Sequence, residues 1–171
     1  MKGFVAVAAA MAYITVAGCA VGPKQVQLTS SFDRENAQEL NRPGVNIVSG
    51  SALIRQNGGG VVTCAGLEVR LIPKTAYASE RIRALYGNTT RGYNPVFNQI
   101  AFTPDHPDYL QLTRTTLCDA QGNFSFNDVA DGDFFITSQI VWVVAGAPQG
   151  GGLMQSVSVR GGESRQVVLS P

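Results

Sequence analysis

The sequence is poor in the residues that enzymes use. It holds one histidine in 171 residues, so no pair of imidazoles is present to share a metal. No serine stands in a G-x-S-x-G elbow. Gly58-Gly59-Gly60 lacks the lysine and the following helix of a phosphate loop, and no other cofactor motif is present. Charge is scarce at 15% of residues, and the formal net charge is +1. That excludes the basic patch that nucleic acid demands and a polybasic segment for anionic lipid. Three cysteines are too few and too widely spaced for a structural zinc site. The apolar run Phe4 to Val16 is too short to span a bilayer comfortably. What is abundant is glycine, at 19 residues, with 8 prolines and 44% hydrophobic residues. Such a chain can pack a core and turn often, as all-β folds do.

The N-terminus reads as an address. Lys2 precedes the apolar run, and Val16-Ala17-Gly18-Cys19 follows it. The arrangement is that of a secretory signal, and the tetrapeptide resembles the bacterial lipobox. The resemblance implies cleavage before Cys19, a diacylglyceryl group on its thiol and a fatty acyl chain on its new amino group. Several acyl chains on one residue anchor far more firmly than the single chain that binds reversibly. Ala20 stands where inner-membrane retention calls for Asp, so the resemblance favours the outer membrane of an organism that has one. Without residues 1–18, which carry Lys2, the chain has as many basic as acidic residues.

In an oxidising envelope the two remaining cysteines, Cys64 and Cys118, read as a disulfide. A pair of buried thiols is the other reading.

Residues 20–45 are polar and irregular, and are expected to be a tether. If flexible, their 26 residues would span about 25–30 Å root-mean-square. A short helix over Phe32–Leu40 is expected within it, capped by Ser30 or Ser31 with Asp33 in its first turn. From residue 46 the texture changes to short alternating runs. Leu67, Val69 and Leu71 alternate with Glu68 and Arg70, and Phe134, Ile136, Ile140, Trp142 and Val144 share one face of a long strand near 133–144. Asn57–Gly60, Gly150–Gly152 and Arg160–Glu163 read as turns between strands. Thr75–Tyr86 is spaced as a helix ending at Gly87. About twenty residues after it read as one long loop, a length that usually marks binding or mobility.

Three pieces resemble the carboxypeptidase regulatory-like domain. Val48-Ser49-Gly50-Ser51-Ala52 is similar to its small-residue first strand. Thr116 to Phe126 matches its T-x-x-D-x-x-G-x-F-x-F element, and Asn127 to Phe134 its following turn and aromatic. Val157 to Ser164 is similar to its closing strands. The resemblance covers residues 46–171. It implies a seven-stranded Greek-key β-sandwich, similar in topology to transthyretin, and a non-catalytic module for adhesion, folding support or binding. The helix and loop at 75–110, and Cys64 where polar residues are usual, depart from its pattern.

Two function classes follow. One is an envelope lipoprotein that contacts a protein or polysaccharide through the inserted segment. Its candidate surface is the aromatic set Tyr77, Tyr86, Tyr93, Phe97, Phe102 and Tyr109, which local packing would equally explain. The other is a hydrolase or metal-dependent enzyme around His106, where Asp105 and Asp108 sketch an acid–base pair or metal site. Loop polarity explains those three residues too.

The anchor is testable directly. Cys19→Ser is expected to move the protein from the membrane fraction to the soluble fraction. Equal membrane retention of variant and wild type would refute lipidation at Cys19.

Overall fold

Adjacent residues of a strand point to opposite faces. Phe134 and Phe135 are adjacent and both are 0% exposed, so their strand is buried on both sides. The computed structural model describes residues 22–171; the leader and Cys19 lie outside the described residues. In chain order the elements are β1 (Lys24–Gln27), α1 (Arg34–Leu40), β2 (Pro43–Arg55), β3 (Val61–Thr63), β4 (Glu68–Pro73), α2 (Ala76–Tyr86), β5 (Arg91–Pro95), β6 (Ile100–Thr103), α3 (Asp108–Gln111), β7 (Arg114–Leu117), β8 (Asn123–Val129), β9 (Gly132–Val144), β10 (Ala147–Val159) and β11 (Ser164–Leu169).

The chain folds as an all-β sandwich. One sheet has the order β5-β10-β9-β4-β7. The other is built on the long β2, with β11 parallel to it and β8 and β3 antiparallel. Val48, Ala52 and Ile54 of β2 and Phe124 and Phe126 of β8 meet Val69 and Leu71 of β4, Phe134, Ile136 and Ile140 of β9, and Leu153, Val157 and Val159 of β10. This core is the alternation read from the sequence, closed face to face. Eleven strands stand among the described residues, where the resemblance implied seven. The surplus includes β1, from residues read as a tether, and β5 and β6, from residues read as a loop.

The tether expectation fails from Lys24 onward. β1 pairs in parallel with β6, and Leu28 and Ala37 are buried. Averaging over a polar segment hid its few apolar anchors. The helix is there, but Asp33 caps it, accepting the amide of Asn36 at 3.0 Å. The long loop is likewise ordered: β5 extends the five-stranded sheet beside β10. Gly150–Gly152 is no turn. The β9–β10 hairpin turns at Ala145 and Gly146, both with positive φ, and the glycines lie inside β10. A Cβ on Gly151 would sit 2.1 Å from the carbonyl oxygen of Asn94, so only glycine lets β5 come this close.

Cys64 and Cys118 are joined in a disulfide, with Cα atoms 5.7 Å apart and a sequence separation of 54. The bond ties the chain after β3 to the chain after β7, inside the core. Closing a loop of this length contributes about 4 kcal/mol in the chain-entropy picture. Cys118 leads into the Asp119 turn. There the carboxylate accepts the amides of Gln121 and Asn123 at 2.9 and 2.8 Å, and Gly122 takes positive φ. The amide of Asn123 foremost holds the Asp119 carboxyl below its ordinary range.

The opposite end is organised by Asn46, which is 0% exposed at an irregularity of β2. Its amide nitrogen donates to the carbonyl of Val129 at 2.9 Å and to Asp131 at 2.8 Å. Its oxygen accepts the amides of Gly162 and Glu163 at 2.8 and 2.9 Å. One side chain thus joins the β8–β9 turn to the β10–β11 turn, with its hydrogen-bonding capacity filled.

Asn46→Ala leaves those backbone groups without partners in a buried place. We expect a loss of about 2–4 kcal/mol, read as a lower urea midpoint with an unchanged slope. A midpoint equal to wild type would refute the role given to Asn46.

Candidate binding cleft

The outer face of the five-stranded sheet carries Glu68, Arg70 and Ile72 from β4 and Phe135, Thr137 and Gln139 from β9. Gly152 and Met154 of β10 complete it. Half of that face is apolar and must be covered. Helix α2 covers it. Thr75 caps the helix by accepting the amide of Ala78 at 3.2 Å, and Gly87 ends it in the left-handed region. Tyr77, Ala78 and Ile82 of α2 pack with Ile72, Phe135, Met154, Leu28 and Tyr109 into a second core.

Arg81 points into this layer and is 8% exposed. Its guanidinium lies 4.1 Å from the Phe102 ring centre and 4.4 Å from that of Tyr109. It donates to Asp105 at 2.5 Å. Ring faces and one carboxylate replace the water that a buried cation would otherwise lose. Glu80, on the same helix, accepts the backbone amides of Thr29 and Ser30 at 2.9 and 2.7 Å. Those two bonds, Thr29 first, lower its pKa from 4.5 to about 2. The helix thereby holds the N-terminal segment in place.

These contacts decide the sequence-derived site residues. Tyr77 and Tyr109 are buried in the second core, Tyr86 and Phe102 pack against it half-buried, and Tyr93 packs half-buried against the sandwich core. Phe97 is the exposed one, at 69%. Tyr77, Phe102 and Tyr109 therefore plug the outer face of the sheet, Tyr86 sits at the edge of that layer, and Phe97 alone of the set is largely exposed. His106 stacks on Phe32, with ring centres 4.5 Å apart, and its Nδ1 accepts the amide of Asp108. Asp105 is bonded to Arg81 and Asp108 to Arg34, so the three residues serve three separate local contacts. Among the described residues, no cluster of three His, Cys, Asp or Glu side chains is arranged to hold a metal.

Where the cover stops, a cleft of about 800 Å³ remains. Glu68, Arg70, Thr137 and Gln139 form its floor. Arg81, Leu85 and Tyr86 of α2 line one side, and Asn94 of β5 with Asn98 and Gln99 of the β5–β6 connection line another. Arg70 and Glu68 pair across the floor at 2.5 Å. Burial pushes the Tyr109 hydroxyl up to about 12 and raises that of Tyr86 as well, so both stay neutral hydrogen-bonding groups. The cleft thus offers amides, hydroxyls and one balanced ion pair beside aliphatic and ring surface. Sequence reasoning missed it. Arg70, Thr137 and Gln139 read as the ordinary wet face of a strand, and only the tertiary cover turns that face into a recess.

No protein-family model and no curated protein matches the sequence. A solved structure does resemble this one: a Pseudomonas aeruginosa protein provisionally described as a carbohydrate binding protein. The TM-score is 0.67 at 20% identity, covering 83% of this chain and 99% of that one. At that identity the likeness shows a shared fold.

The Glu80 clasp carries a signed pH dependence. Its lowered pKa means that the charged form stabilises the folded chain above pH 4.5, and that this contribution is lost as pH falls toward about 2. Wild type should therefore be more stable than Glu80→Gln at neutral pH, with the gap closing between about pH 4.5 and 2. Urea midpoints across that range check it, and a gap independent of pH would refute it.

Proposed function

We propose that the protein is a membrane-anchored envelope lipoprotein whose sandwich is a non-catalytic binding module, with polysaccharide held in the cleft. The observation that carries the ligand class is the cleft's own chemistry. Sugars present many neutral hydroxyls on a partly apolar ring, and they suit a shallow recess of amides and hydroxyls beside apolar surface. Arg70, Gln139, Asn94 and Asn98 are placed to bond hydroxyls, and Leu85 and Tyr86 offer apolar contact. The fold shared with the Pseudomonas aeruginosa protein described for carbohydrate binding points the same way.

The kinship with the carboxypeptidase regulatory-like domain belongs to the same reading. It is supported by Phe124 and Phe126 facing the core and by Asp119 closing its turn. The anchor rests on the lipobox-like residues ending at Cys19. No described helix is long and apolar enough to cross a membrane.

The test is a screen of the oxidised mature chain against envelope polysaccharides and peptidoglycan fragments, followed by calorimetry. Gln139→Ala and Arg70→Ala should each weaken binding by roughly tenfold or more, the worth of one lost polar contact. Both should leave the melt near wild type, because neither side chain is in the core. Failure to bind any glycan, or binding indifferent to both substitutions, would overturn the reading.

A further inference from the structure

One end of the molecule is formed largely by two uncharged stretches of chain, with the exposed Lys24 beside them. Between Asp133 and Arg160 the chain has no charged residue, and between Arg91 and Asp105 it has none either. The first stretch includes the β9–β10 hairpin tip, where Val141, Val143 and Val144 are exposed at 38%, 69% and 53%. The second includes Phe97, exposed at 69%. Both lie at the same end. β5 runs antiparallel along β10 toward the tip, and beyond β5 the amide of Val96 still donates to the carbonyl of Gly150 at 2.9 Å.

The N-terminal segment enters at this end too. The amide of Lys24 donates to the carbonyl of Gln99, two residues from Phe97, and β1 then runs parallel to β6. Lys24 is five positions from Cys19, and five extended steps of chain reach at most ~18 Å. A lipid on Cys19 would hold the bilayer against this end and no other.

We propose that the hairpin tip and Phe97 form a membrane-docking surface for the bilayer in which Cys19 is anchored. This placement rests on the anchor reading of Cys19 and is independent of the cleft's ligand. The tip is exposed, apolar and uncharged, so immersing it removes apolar surface from water without desolvating a charge. Its depth is limited by backbone. Among the described residues β9 beyond Ser138 has no partner on its β4 side, and open strand edges are excluded from the hydrocarbon interior. The tip therefore rests in the interfacial zone, where Trp142, the only tryptophan, is favoured. The short link and the docked tip together orient the cleft, which opens beside Asn98 and Gln99, near the membrane surface.

In a chain begun at residue 19, which carries no leader and so receives no lipid in the cell, the disulfide leaves Cys19 as the only free thiol, and it can be coupled to a maleimide lipid in vesicles. Vesicles with lipids brominated high in their acyl chains then quench nearby indole. Trp142 serves as the native probe. Phe97→Trp and Val45→Trp, each with Trp142→Phe, compare the tip with the far end. Val45 is exposed and lies beside Gly162, roughly 40 Å from the tip along β10. Quenching at 142 and 97 is expected to exceed that at 45 several-fold, and Val143→Asp with Phe97→Asp should abolish the difference at 142. Equal quenching at all three positions would overturn the proposal. So would unquenched probes together with concentration-dependent dimers in sedimentation, which would make the tip a self-association surface. Mass analysis of the native N-terminus separately decides acylation of Cys19, so failure of the anchor and failure of the docking surface are distinguishable.

Discussion

Everything distinctive in this fold follows from burial of β9 and β10 on both faces. Phe134 and Phe135 cannot share a side, and neither is left in water. A sandwich supplies cover for one face only. The other must be covered by chain that a plain sandwich does not have, and α2, the chain from β6 to α3 and the N-terminal segment supply it. Residues that look like decoration in the sequence are thereby structural. The segment before β2 gives Leu28 to the second core, and the insertion gives Tyr77, Ile82 and Tyr109.

The cover is incomplete, and that incompleteness makes the cleft. Toward the hairpin tip the outer face changes from Phe135 and Met154 to Thr137, Gln139 and Gly152, and the helix does not extend over it. Apolar burial therefore sets where the recess begins, and side-chain polarity sets what it can hold. Arg81 sits on the boundary. It closes the second core with ring contacts and lines the recess as well. Tyr86 does the same with its ring in the core layer and its hydroxyl near Gly152.

A few side chains, buried or near the surface, fix the turns and the N-terminal segment by hydrogen bonds. Asn46 spends every hydrogen bond on two turns, Asp119 closes a third, and Glu80 clasps two amides of the N-terminal segment. The turns at the Asn46 end are rigid and polar. At the opposite end the hairpin tip and Phe97 are apolar and uncharged.

Local periodicity made a good part of this legible in advance. The strands of the sandwich, the helix from Thr75 to Gly87, the Asp119 turn and the Cys64–Cys118 pair could all be read from alternation, capping residues and parity, because each depends on neighbours in sequence or on a count. The turn of the long hairpin could not. Glycines at 150–152 look like a turn until β5 is placed beside them, and Ala145-Gly146 gives a weaker local signal. Nor could the role of the aromatics at 77–109 be decided, since a ring that plugs a sheet and a ring that faces a ligand have the same spacing. The sequence by itself determined which residues alternate, cap and turn, because those are properties of the chain within a few residues. Which apolar face meets which, whether a polar segment is tether or cover, and where an uncovered strip of sheet becomes a cleft were decided only in the tertiary structure. Burial is a relation between surfaces distant in sequence, and no local pattern records its partner.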